Sequence, residues 1–144
     1  MELSWQDIIS DRIASINAAQ QHTLYKHLFN ENLEISKYLN SDFSITEMRF
    51  IAKIRSEMLP LLGRPWSNAE SKICTLCNLK VEENTVHFLG ECPVLREFRI
   101  QHFGAKIILY QECISILNNT DNWHNLAKYV KQAFNYRKFL MDNL

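Results

Sequence analysis

Glycine and proline are scarce in this 144-residue chain, three of each, which argues against long irregular loops and disorder. No apolar run approaches the roughly 18 residues a membrane-spanning helix needs. The opening Met1-Glu2-Leu3-Ser4-Trp5-Gln6-Asp7 has neither a basic n-region nor an apolar h-region, so no signal peptide is expected. Charge of one sign is lacking as well: 16 basic and 16 acidic side chains leave a formal net charge of +0, which weighs against a strong non-specific polyanion binder. The β-branched alternation of half-buried strands is absent. What remains is 47% hydrophobic and 11% aromatic, the composition of a globular domain large enough to bury a core. A soluble, intracellular protein, nuclear or cytoplasmic, is expected.

Cysteine is also sparse, four in all, yet three of them crowd into one stretch with a histidine. Cys74, Cys77, His87 and Cys92 are spaced C-x2-C-x9-H-x4-C. Zinc takes four ligands in a tetrahedron, and a C-x2-C turn can present two thiolates to one metal ion. His87 and Cys92 complete a CCHC set. A redox C-x-x-C would follow a strand and open a helix in an α/β pattern, and that pattern is missing. A reducing compartment suits cysteines held as metal ligands rather than disulfides, so the sequon at Asn118-Asn119-Thr120 is expected to stay unglycosylated.

The rest of the chain has helical periodicity, and the expected fold is all-α, a compact helical domain stapled by one CCHC zinc knuckle. Residues 1–41 are read as N-terminal helices and 42–144 as the zinc-knuckle helical module, the two forming one cooperative unit. Ser4 can cap a helix carrying Trp5, Ile8, Ile9, Ile13 and Ile16. Ser44-Ile45-Thr46-Glu47 matches a capping box, which predicts a helix from Ile45 to Leu59 ended by Pro60. Arg49, Lys53 and Arg55 ride on its outer part. Thr85 is the expected N-cap of a helical turn holding His87, and Pro93 the first residue of a helix closed by Gly104. Ile107 to Leu117 reads as a buried helix, with a strand as the alternative, and Cys113 inside it as a core residue rather than a ligand or nucleophile.

Asp121 or Asn122 should cap the last helix, Trp123 to about Met141. Its apolar stripe is Trp123, Leu126, Val130, Phe134 and Leu140. Lys128, Lys131, Asn135 and Lys138 fall on the opposite side, a basic ridge with Tyr129 and Tyr136 near its edges.

Cys74-Thr-Leu-Cys77 followed by Glu-Glu-Asn-Thr-Val-His87-Phe-Leu-Gly-Glu-Cys92-Pro-Val-Leu-Arg-Glu-Phe-Arg99 resembles the zinc-binding region C-terminal to the polymerase domain of non-LTR (LINE-type) retrotransposon reverse transcriptases. The resemblance spans roughly residues 42 to 141. Upstream it includes Phe50-Ile-Ala-Lys-Ile-Arg55, and downstream Asn125-Leu-Ala-Lys-Tyr-Val-Lys-Gln-Ala-Phe134 and Tyr136-Arg137. It implies a zinc-stapled helical module that helps a polymerase hold template RNA or target DNA, with Cys74, Cys77, His87 and Cys92 as ligands. The aspartate pair of a polymerase palm is missing, since no Asp-Asp occurs in the chain. The short chain therefore looks like a detached tail or a domesticated, retrotransposon-derived protein.

Three functions follow. A non-catalytic nucleic-acid-binding module, for RNA or DNA with RNA preferred, would set Arg49, Lys53, Arg55, Lys128, Lys131 and Lys138 against phosphates and stack Trp66 on an unpaired base. A protein-interaction adaptor with a purely structural zinc is the alternative, in keeping with zero net charge and high aromatic content. An enzyme is disfavoured: a closed four-ligand site leaves no open position, and no nucleophile–base pair is evident.

Overall fold

The computed structural model describes residues 43–63 and 71–143. The expected helices over 1–41, and Trp66, lie outside the described residues. Within them the fold is helical and contains no β-strand, with one isolated antiparallel bridge between Ile73 and Glu82. No helix among them is long and apolar enough to cross a membrane.

Helix α1 runs Ile45–Arg55 and starts on the expected capping box. The Ser44 hydroxyl accepts from the Glu47 amide at 3.1 Å while the Glu47 carboxylate accepts from the Ser44 amide at 3.4 Å. The helix ends four residues before Leu59, without help from Pro60. Glu57 turns left-handed at φ 59°, the Met58 amide donates to the Lys53 carbonyl at 2.8 Å, and the Glu57 amide donates to that of Ile54 at 3.4 Å. These two bonds form a Schellman closure, in which glycine usually takes the left-handed position.

Arg55 is not on the outer part of α1. It is buried, 1% exposed, because its guanidinium lies 5.3 Å from the centre of the Trp123 ring and donates to Asn118 Oδ1 at 2.9 Å. A cation over an indole face recovers part of the interaction that water would have supplied.

Past the cysteine-rich segment, Pro93–Leu95 form a 3₁₀ turn with Pro93 at its start, leading into α2, Arg96–Phe103. Gly104 closes α2 at φ 70°, as its position predicts. The apolar run from Ile107 does not form one buried helix. Ile107 and Leu109 are 63% and 65% exposed while Ile108 is buried, and α3 begins only at Tyr110, ending at Asn118. The reason is a clamp on Ile108, whose amide donates to the Gly90 carbonyl at 2.9 Å. That bond holds the residue extended and turns its two neighbours outward. Cys113 is fully buried in the core, as expected.

The long helix α4, Trp123–Asp142, is entered through a 3₁₀ turn over Thr120–Asn122. Neither Asp121 nor Asn122 caps it with a side chain; Asn119 does the local work, its Oδ1 accepting from the Asp121 amide at 3.0 Å. Trp123, Leu126 and Val130 are fully buried, Phe134 is half-buried, and Tyr129 is fully buried rather than at the edge of the ridge. Helix α4 packs against α1, α2 and α3 and so forms the spine of the domain. Each aliphatic side chain it covers contributes roughly 1.5–3 kcal/mol.

Candidate metal centre

The two limbs flanking the first cysteine pair are short and extended. The Cys74 amide donates to the Val81 carbonyl and the Glu83 amide to that of Lys72, both at 2.8 Å. Lys80, left-handed at φ 57°, helps bring the chain back. This hairpin buries Cys74 and leaves Cys77 half-buried.

The second pair is placed by an unusual turn. The expected Thr85 cap is replaced by Asn84, whose Oδ1 accepts from the His87 amide at 2.8 Å. From His87 to Glu91 the backbone is π-helical, and the Cys92 amide donates to the His87 carbonyl, five residues back, at 2.8 Å. In an α-helix, residues five apart point about 140° away from each other. The wider π turn cuts that angle, so the H-x4-C spacing can deliver both side chains to one point. Gly90 makes this turn possible: a Cβ there would clash with the Ile108 carbonyl and sit 2.9 Å from Cys113 Sγ.

The four side chains converge. One ligand atom from each of Cys74, Cys77, His87 and Cys92 lies within 4.8 Å of every other, and the group can hold a metal ion. His87 Nε2 is 3.5 Å from Cys77 Sγ. A tetrahedral ion with metal–sulfur bonds of about 2.3 Å and a metal–nitrogen bond of about 2.0 Å sets its donors roughly 3.5–3.8 Å apart. The His87–Cys77 pair already has that separation, and the widest donor pair, within 4.8 Å, would close by about 1 Å around an ion. His87 Nδ1 is buried with no hydrogen-bond partner, and the Glu91 carboxylate lies 3.8 Å from it. The imidazole thus turns Nε2 toward the sulfurs and Nδ1 toward a carboxylate, the orientation that outer-sphere acids give to metal-binding histidines.

The electrostatics fit a cation as well. The Cys74 thiol is held well below its ordinary range, chiefly because the Cys92 thiol hydrogen-bonds to its sulfur. That contact pushes Cys92 up, with burial adding to it, and burial pushes Cys77 up. Without a metal, one thiolate is stabilised at the expense of its neighbours. A divalent cation removes that competition and allows all three to ionise.

The other candidate residues divide between two helices. Arg49 and Lys53 are exposed on α1, and Lys128, Lys131 and Lys138 are exposed on α4. Arg55 is removed from this set by its burial against Trp123. The α1 and α4 groups are linked where His124 Nδ1 meets Glu47 Oε2 at 2.8 Å. Sequence reasoning missed three polar residues around the centre: Asn84, Glu91 and the buried Arg99. Only Asn84 carried a readable signal, as an N-cap residue type three positions before His87. No protein-family model, curated protein or solved structure matches the chain.

Proposed function

We propose that the chain is a non-catalytic helical module, stapled by one zinc ion, that binds single-stranded nucleic acid, RNA in preference to DNA. Three thiolates and an imidazole are a donor set suited to zinc. Four protein donors fill the tetrahedron and leave no position for a reacting water, so the ion's role is structural.

The observation that carries the nucleic-acid reading is the solvent face of α4. It exposes Lys128, Lys131 and Lys138, while its one arginine, Arg137, is drawn inside by Glu83. Phe139, 61% exposed, projects within about 20° of Lys128 around the helix axis. An exposed aromatic among lysines offers a base a stacking surface while the ammonium groups meet phosphates. The run of an exposed-basic helix, a CCHC centre and a terminal basic helix also supports kinship with the zinc-binding region of LINE-type reverse transcriptases, which we propose as the origin of the chain.

Fluorescence anisotropy with a labelled single-stranded RNA tests this reading. The zinc-loaded protein should bind at low salt with a log–log salt slope near 0.7 per phosphate contacted, about 2 for three lysines. A Lys128→Glu, Lys131→Glu, Lys138→Glu variant should keep its metal and fold and lose binding. No binding of RNA or DNA by the loaded wild type at low salt would overturn the proposal. One observation favours the adaptor reading: the exposed Ile107 and Leu109 form a small apolar surface of the kind partners cover. On that reading, Ile107→Ser with Leu109→Ser would abolish capture of a protein partner, and RNA would not bind.

A further inference from the structure

Three described arginines are buried, and two have clear reasons to be. Arg137 is paired with Glu83, and Arg55 lies over Trp123. Arg99 is different. It is 0% exposed, and among the described residues no carboxylate lies within ion-pair distance of it. Its Nε donates to the Lys106 carbonyl at 2.8 Å, its Nη2 donates to the Cys92 carbonyl, and its Nη1 has no hydrogen-bond partner. Guanidinium does not deprotonate in proteins. Among the described residues the fold therefore takes a full positive charge out of water with two carbonyls and the Tyr129 side chain to receive it, an arrangement that is costly without an opposing charge.

The cysteine cluster would supply such a charge once a metal is bound. Three thiolates, a neutral imidazole and a divalent cation sum to −1, and that charge is buried too, since Cys74, His87 and Cys92 are all buried. The carbonyl that Arg99 grips belongs to Cys92, so one residue joins the guanidinium to the metal-binding sulfur. We infer that Arg99 is the counter-charge of the loaded centre, a positioning residue whose cation and the anionic metal–thiolate cluster stabilise one another. The inference rests on the reading that this cluster binds a divalent metal through all three thiolates. Arg96, one turn earlier on α2 and exposed, cannot substitute, because water already screens its charge.

The test is zinc affinity of the full chain, measured by competition with a chromophoric chelator. Arg99→Met should weaken binding by tenfold or more, and Arg99→Lys should stay within a fewfold of wild type. In a Cys77→His background the loaded centre is neutral, so there Arg99→Met should weaken binding less than threefold. Equal losses in the two backgrounds would show that Arg99 merely packs and would overturn the inference, as would an Arg99→Met protein that binds zinc like wild type. A wild type that binds no zinc would instead remove the metal reading beneath it. Cobalt loading gives a second measurement that needs no ligand swap. Cobalt affinity, read from the visible bands of the bound ion, should fall in Arg99→Met and recover in Arg99→Lys; an unchanged cobalt affinity in Arg99→Met would overturn the inference.

Discussion

Removing the guanidinium of Arg137 should be among the most destabilising single changes outside the metal centre. Its Nε donates to Glu83 Oε2 at 2.8 Å and its Nη2 to Glu83 Oε1 at 2.7 Å, with the side chains only 8% and 3% exposed. Glu83 Oε1 also accepts from the Leu62 amide at 2.8 Å. The pair therefore ties α4 to the return limb of the cysteine hairpin and to the segment after α1. Arg137→Met leaves a buried carboxylate with one amide donor, and breaking such a pair costs about 3–5 kcal/mol. At roughly 3 °C per kcal/mol for a domain of this size, the melting temperature should fall by roughly 10–15 °C. Replacing both partners, Arg137→Met with Glu83→Leu, removes the stranded charge and should recover at least half of that loss. Urea unfolding of wild type, both single variants and the double variant measures the cycle. A single-variant loss below about 1 kcal/mol, the range of exposed pairs, would refute the reasoning.

Gly90→Ala should destabilise the domain by about 2 kcal/mol or more, since its Cβ would overlap the Ile108 carbonyl and crowd Cys113 Sγ; denaturant titration reads this, and a neutral effect would mean the π turn is not packed as described. Metal affinity should fall as pH falls. In the metal-free fold Cys77 and Cys92 stand above the ordinary thiol range and Cys74 below it, so about two protons leave per metal and log affinity should rise by about two per pH unit between pH 6 and 8. A pH-independent affinity would rule out thiolate coordination. Glu91→Ala should weaken metal binding by roughly tenfold or more, because it strips the acid facing His87 Nδ1; unchanged affinity would show that Glu91 is a bystander.

The centre was legible because its signal is local and chemical. A C-x2-C pair, a histidine and a third cysteine at short range leave little choice of partners once thiols are assumed to cluster. The capping box at Ser44 and the closing glycine at Gly104 were legible for the same reason, since each cap is satisfied within a few residues. What was not legible depends on groups far along the chain. Arg55 reads as a surface cation on the helical wheel until Trp123, 68 positions later in the sequence, offers its ring face. Ile107 and Leu109 read as core because the run is apolar, yet the hydrogen bond from Ile108 to Gly90 decides which side chain turns inward. The π turn at His87–Glu91 has no periodicity signature of its own. It follows from the geometric demand that two ligands five residues apart meet at one ion.

Metal content and its coupling to stability test the central claim most directly. Elemental analysis of the purified full chain should find one zinc per chain. Cys77→Ser should lose that zinc and melt well below wild type, because a structural zinc contributes several kcal/mol of folding free energy. A wild type purified without metal, with the Cys77→Ser protein melting at the same temperature, would contradict the account.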